Sequence, residues 1–305
     1  MASLGEERLA PCNGIEIAYQ EVGDPDGDPL LLVMGLGTQM LAWDEELCEQ
    51  LAGRGFRVVR FDNRDIGHST MIEGAGVPKR ADLFLGRRAT APYLLSDMAA
   101  DAIGLMDHLG IESAHVAGAS MGGMIGQALA IEHPDRVCSL VSIMSTTGSR
   151  RVGTPTLKAF GIMLAEAPRG RDAYVERVVK TFKVVGSPAY PMDEPRLREM
   201  AGRMYDRSHN PRGVLRQMHA ITASGDRTRA LRKLQLPVTV IHGTRDVLVR
   251  PSGGRATARA VPNARLRIVE GMGHDLPRPI WPIFLDEIAD NAARAGRRAR
   301  VEQAA

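Results

Sequence analysis

Short apolar runs alternate with longer helix-patterned stretches through the first half of the chain, and this alternation narrows the fold more than any other feature. Leu30–Met34, Phe56–Asp62, His115–Ala119 and Val137–Met144 are strand-length runs dominated by apolar residues. Runs of this kind suit strands covered on both faces, as in a parallel sheet. Trp43–Ala52, Ser96–Leu109 and Met121–Glu132 lie between them and read as helices. Ser96-Asp97 supplies a start signal, and His133-Pro134 stops the last of the three. Upstream, Ile15–Val22 followed by Asp24-Pro-Asp-Gly-Asp-Pro29 reads as a hairpin and its turn. The pattern predicts an α/β fold: a mostly parallel central sheet flanked by helices.

The rhythm breaks between about Gly148 and Arg229. No clear β run occurs there, only Pro/Gly interruptions and helical pieces such as Tyr174–Val184, Glu194–Tyr205 and Gly213–Thr222. Alternation resumes at Pro237–His242, with Arg255–Val261, Ala264–Val269 and a terminal helix around Pro282–Ala295. We therefore expect a core of residues 1–147 and 230–305, with residues 148–229 inserted as a helical cap or lid. The total of 305 residues suits one large domain with such an insertion. The Arg/Ala segment after Asn291 reads as a frayed, solvated tail.

Charge and cysteine content exclude several function classes. The net charge of +3 comes from 39 Lys and Arg against 36 Asp and Glu. Without Arg294, Arg297, Arg298 and Arg300 the balance is 35 against 36, so the body carries no excess of the kind nucleic acid requires. Cys12, Cys48 and Cys138 are scattered without metal spacing, and an odd, sparse count suits a reducing compartment. No run approaches the roughly 20 apolar residues of a membrane span, and acidic residues occupy the place of a signal-peptide core. The expectation is a cytoplasmic protein with no nucleic-acid partner and no membrane span; a homo-oligomer stays open.

Chemistry concentrates where one strand ends and a helix begins. Gly118-Ala-Ser120-Met-Gly122 is a G-x-S-x-G at that junction. A nucleophile on a sharp strand–turn–helix bend needs tiny neighbours two residues away, which Gly118 and Gly122 provide. The pattern alone is common in a Gly-rich chain, where it also describes an ordinary helix start; the setting gives it weight. A serine needs a base, and the base needs an orienting acid. Asp246 follows the strand Val238–His242, and His274 follows the strand Leu266–Val269 in the flexible loop Gly271-Met-Gly-His274. No Asp or Glu lies between Asp135 and Glu166, so the strand before the cap offers no rival acid, and Asp275 cannot easily bond its own neighbour's ring. His242, inside a core strand, reads as a hydrogen-bonded core residue. A metal held by His242, Asp246 and His274 matches no zinc spacing, so none is expected. An oxyanion hole would take the backbone N–H of Met121 and that of Leu36, in the loop Met34-Gly35-Leu36-Gly37.

With these pieces in order, the chain resembles the α/β-hydrolase superfamily over about Ile15 to Asn291. Arg60-Phe-Asp62-Asn-Arg64-Asp65-Ile-Gly67-His-Ser69-Thr70 is similar to a D-x-R-D-x-G-x-S-T loop, and Gly271-Met-Gly-His274-Asp-Leu-Pro277 to a G-M-G-H-x-L-P block. Within the superfamily these resemble the aclacinomycin methylesterase subgroup, which has Gly where Leu36 stands. The resemblance implies a cofactor-independent serine esterase with Ser120, Asp246 and His274 as its triad. Arg64 and Asp65 read as loop-pinning residues.

The expected function is hydrolysis of a mostly apolar, small-to-medium carboxylic ester, a methyl ester among the candidates, through an acyl-enzyme. Met34, Met124, Met272, Phe160 and Met163 are the expected pocket residues, since thioether side chains adapt to varied apolar shapes. Phe182, Met200, Met204, Tyr205, Met218 and Leu164 read as further cap contributors, although methionine at helical spacing also suits plain core. The same triad would serve perhydrolysis of the haloperoxidase type, or lactone, thioester or C–C bond hydrolysis. A ligand-binding receptor on the same fold is the rival from another class.

Overall fold

The computed structural model describes residues 4–303. The side chains of Leu164, Arg297, Arg298 and Arg300, noted above, lie outside what it describes. In chain order the elements are β1 (Arg8–Cys12), β2 (Ile15–Val22), β3 (Asp28–Val33), α1 (Glu45–Ala52), β4 (Phe56–Phe61), α2 (Arg80–Leu85), α3 (Leu95–His108), β5 (Ala114–Ala119), α4 (Met121–Glu132) and β6 (Val137–Ile143). Five helices follow before the next strand: α5 (Leu157–Leu164), α6 (Arg171–Val185), α7 (Glu194–Arg207), α8 (Pro211–Ser224) and α9 (Thr228–Leu231). The chain closes with β7 (Val238–Gly243), α10 (Ser252–Ala260), β8 (Arg265–Val269) and α11 (Trp281–Gln303).

The strands form one sheet in the order β1-β2-β4-β3-β5-β6-β7-β8, with β2 running against both its neighbours and the others parallel. Two sequence expectations are corrected here. The hairpin at Ile15 closes on β1 rather than across Asp24–Pro29, and β2 pairs on its other side with β4. Asn13 and Gly14, both left-handed at φ +49° and +77°, make the turn; an Asn-Gly pair suits that geometry because it matches the twist of the strands. The segment after Asn291 continues α11 as helix to Gln303 instead of fraying. Asn291 is fully buried, donates to the carbonyls of Leu140 and Pro237, and accepts from the Thr239 hydroxyl, which ties that part of α11 to the sheet.

Alternation along each strand divides the core in two. Leu31, Val33, Val59, Phe61, Val116 and Val240 face α3 and α4. Their chain neighbours Leu30, Leu32, Val58, Ala117 and Ile241 face the opposite way, toward Leu47 and Leu51 of α1 and Phe284 and Leu285 of α11. From β3 the chain steps to β4 on one side and then returns through α3 to β5 on the other. The strand order therefore reverses between β3 and β5, and their carboxyl ends open into the crevice where ligands of such sheets bind.

The helices between β6 and β7 are fastened to the loop after β4. Arg207 of α7 meets Asp62 at 2.6 Å, and Arg216 of α8 meets Asp65 at 2.5 Å, with both carboxylates fully buried. Gln217 bridges the Arg64 carbonyl and the Gly37 amide. Arg64 itself makes a two-point pair with Asp101 of α3. The loop from Asp62 to Thr70 thus fixes helices to one another.

Candidate active site

Ser120 sits between β5 and α4 with φ +56° and ψ −116°, a conformation rarely adopted by a non-glycine residue. It persists because the flanking backbone leaves no alternative. A methyl group on Gly118 would lie 2.2 Å from the Gly122 carbonyl oxygen, and one on Gly122 would lie 2.0 Å from that of Val33. The Ser120 amide donates to the Ile143 carbonyl, and the Ser145 hydroxyl donates to the Ser120 carbonyl, so the end of β6 and the loop after it grip the bend from one side.

The side chains of Ser120, His274 and Asp246 form one hydrogen-bonded line, although 154 residues separate the first two. The Ser120 Oγ lies 3.0 Å from His274 Nε2, and His274 Nδ1 lies 2.7 Å from Asp246 Oδ2. With its hydrogen on Nδ1, the ring donates to the carboxylate and presents Nε2 as an acceptor to the hydroxyl. Ser120 is half-buried, and the His274 side chain keeps 9% of its surface exposed. The second carboxylate oxygen of Asp246 accepts from the amides of Leu248 and Val249, each at 2.9 Å. Burial alone would push this carboxyl up. The attraction of His274 and bonds from His242 and His274 outweigh it and hold the group well below the usual carboxylate range.

The loop after β3 lies against the nucleophile: a methyl group on Gly35 would come within 3.2 Å of Ser120 Cβ. Met121 opens α4 directly after Ser120, so the nucleophile stands at the start of a helix whose N-terminal dipole favours negative charge. Burial pushes the Cys48 thiol, and likewise that of Cys12, up to about 12. Among the described residues no group of three His, Cys, Asp or Glu side chains is arranged to hold a metal ion.

The expected pocket residues separate into two sets. Met34 and Met124 are 6% and 5% exposed within the two core clusters, and Phe160 and Met163 are half-buried on α5. Met272 is fully buried, in the same core cluster as Val269, Trp281 and Phe284. An open groove of about 1490 Å³ lies at the amino ends of the parallel strands, opposite the end that carries Ser120, is lined by residues such as Phe56, His115 and Leu236, and includes none of Ser120, Asp246 or His274.

His242 is the hydrogen-bonded core residue that the sequence suggests, with a tie to Asp246 that its position does not signal, and Ser187 escapes sequence reasoning altogether. His242 Nε2 lies 3.3 Å from Asp246 Oδ2 and 2.7 Å from the Val249 carbonyl, which gives the carboxylate a second imidazole partner. Ser187, after α6, bonds both the Gly273 amide and the Asp275 carboxylate, on either side of His274. The Gly-Ser-Pro sequence at 186–188 signals only a helix end; nothing in its spacing reveals a partner 88 residues away.

Known proteins resemble the chain along most of its length. Residues 28–277 match the family model described as alpha/beta hydrolase fold. The chain is 29% identical over 291 residues to rhodomycin D methylesterase DauP of Streptomyces sp. strain C5, covering 88% of this chain and 92% of that one. It is 31% identical over 260 residues to putative carbamate hydrolase RutD of Caulobacter sp. strain K31, covering 84% and 88%. Among solved structures it superimposes on the enol-lactonase from Burkholderia xenovorans LB400 with a TM-score of 0.72 and 26% identity, covering 94% of this chain and all of that one. The matched sheet and the methylesterase and carbamate-hydrolase relatives carry the same conclusion: the chain belongs to the α/β-hydrolase family and is a hydrolase.

Proposed function

We propose that the protein is a carboxylic-ester hydrolase working through an acyl-enzyme on Ser120. The observation that carries this reading is the unbroken line from Ser120 Oγ through His274 to Asp246, built on a strained bend. As Oγ attacks the ester carbonyl, its proton passes to His274 Nε2. The amides of Leu36 and Met121 receive the oxyanion. His274 then gives the proton to the leaving alcohol, and a water activated by the same ring releases the acid. Asp246 stays ionised throughout and holds the imidazolium. The helical segment 148–229 roofs the site as a lid, with Met34, Met124, Phe160 and Met163 supplying apolar surface for the substrate, and no cofactor is needed. The methylesterase relatives support an ester of a small alcohol, such as methanol.

Ser120→Ala is expected to abolish hydrolysis of short p-nitrophenyl esters while leaving the thermal transition and circular dichroism unchanged. Full activity in that folded variant would sink the assignment. Lactone opening is the second reading, favoured by the likeness to the enol-lactonase. A panel pairing methyl esters with lactones of matched acyl length separates the two.

A further inference from the structure

We infer that Ser187 and Asp275 are positioning residues through which the helical segment between β6 and β7 sets the orientation of His274. This rests on the reading of His274 as the base that serves Ser120.

The loop bearing His274 has little rigidity of its own. Gly271 is left-handed at φ +71°, Gly273 follows, and each accepts conformations that other residues resist. Thr244 and Arg245, after β7, hold this loop from one side: the Thr244 hydroxyl accepts from the Gly271 amide, and the Arg245 amide donates to the Met272 carbonyl. Residues 185–189, at the end of α6, hold it from the other. The His274 amide donates to the Val185 carbonyl at 2.7 Å. Immediately before it, the Gly273 amide donates to Ser187 Oγ at 2.8 Å. Immediately after it, Asp275 accepts from Ser187 twice, from the amide at 3.2 Å and from the hydroxyl. A further bond runs from the Ala189 amide to the Gly271 carbonyl at 3.4 Å.

Ser187 closes a ring around the histidine. Its hydroxyl accepts from residue 273 and donates to residue 275, so the backbone on both sides of His274 answers to one side chain. The two chains are also in contact without slack: a methyl group on Gly273 would lie 2.4 Å from the Gly186 carbonyl carbon, and one on Gly271 would lie 2.2 Å from Ala189 Cβ. Ser187 is only 8% exposed, so water does not readily replace these bonds. Asp275 is thereby accounted for as well; its carboxylate turns away from the neighbouring ring and toward Ser187. Displacing residues 185–189 would release one of the two sides that hold His274 against Ser120, which couples this segment to the alignment of the base. A shift of about 1 Å at a reacting pair is enough to cost on the order of 100-fold in rate.

The test uses the full-length chain carrying Ser187→Ala, read in three ways. These are kcat and KM on a short p-nitrophenyl ester, the rate at which a fluorophosphonate probe adds to Ser120 by intact mass, and the downfield proton resonance of the His274 Nδ1–H facing Asp246. The expected result is a fall of tenfold or more in kcat and in labelling rate, KM within about twofold, and loss or broadening of the resonance. A folded variant that matches the wild type in all three overturns the inference. If the wild type itself resists the probe, the nucleophile reading fails, and the resonance alone decides the coupling: retained in Ser187→Ala, it overturns the inference; lost, it upholds it. Asp275→Asn, which keeps the shape and removes the charge, carries the same readouts should Ser187→Ala fail to fold.

Discussion

Asp246 is the most heavily bonded of the three aligned side chains. It accepts from two backbone amides on one oxygen and faces two imidazoles with the other. His242 has a single facing nitrogen in use; its Nδ1 is buried without a partner among the described residues, with Gly254 packed so close that a methyl group there would lie 2.4 Å away. The hydrogen of that ring therefore sits on Nε2, toward the carboxylate and the Val249 carbonyl. These donors favour the charged form of Asp246, so its folded pKa lies below the unfolded value of about 4. A depressed carboxyl contributes stability that is fully present above the unfolded pKa and is lost as pH falls through the range beneath it. Asp246→Asn is accordingly expected to melt below the wild type at pH 7, yet to lose less stability between pH 7 and pH 3. Melts at both pH values check this, and equal losses in the two proteins would contradict it. The same variant should lower kcat by roughly 10³- to 10⁴-fold, because an amide no longer stabilises the imidazolium and favours the wrong tautomer.

At the scale of elements, the bend between β5 and α4 shows how packing forces a local conformation. Gly122→Ala would drive a methyl group to 2.0 Å from the Val33 carbonyl, where backbone stands on both sides and neither can yield. A loss of about 3 kcal/mol or more, or no folded protein, is expected. Gly161 is the opposite case: it lies inside α5, and among the described residues nothing comes within 4 Å of the position its Cβ would take. Gly161→Ala should stabilise by about 0.5–1 kcal/mol through helix propensity alone. Chemical denaturation of both variants checks the signs, and a stabilising Gly122→Ala would show that the bend is less constrained than its geometry says.

The elements most legible in the sequence are those whose signal is local. β3 to β7 read as apolar runs because burial on both faces demands it, and the bend at Ser120 reads from its glycines. Asp246 and His274 read from their places after consecutive strands, since the sheet order brings those strand ends together. β1 escaped because Arg8-Leu-Ala-Pro-Cys12 lies at the sheet edge and needs no apolar run. The burial of Met272 is hidden in the sequence for a related reason. Met272 is the chain neighbour of Gly273 and lies two positions from His274, yet its side chain turns into the core under α11. Proximity along a loop says nothing about direction. The contacts of Ser187, Arg207 and Arg216 were invisible because helices packed across a domain carry no sequence mark of their partners.

At the scale of the whole molecule, the question is what makes five helices and a sheet behave as one body. Two kinds of ion pair join them, and physics assigns them unequal weight. Arg216 and Asp65 are nearly excluded from water, with side chains 7% and 0% exposed, and Tyr93 donates its hydroxyl to the same carboxylate at 2.7 Å. Arg196 of α7 and Asp44, ahead of α1, also pair at 2.6 Å, but their side chains are 44% and 23% exposed. Arg216→Ala strands a buried carboxylate, for which a cost of about 3–5 kcal/mol is expected. Arg196→Ala leaves Asp44 to water and should cost at most about 1 kcal/mol. Salt discriminates further, because mobile ions screen the exposed pair and barely reach the buried one. In urea melts at 0.05 M and 1 M NaCl, the difference between wild type and Arg196→Ala should shrink toward zero at high salt, while that for Arg216→Ala persists. Hydrogen exchange should show α7 and α8 opening ahead of the sheet in Arg216→Ala alone. Equal costs for the two variants, or a buried pair that salt abolishes, would mean that the helices are held by apolar contact and the Asp62–Thr70 loop only follows them.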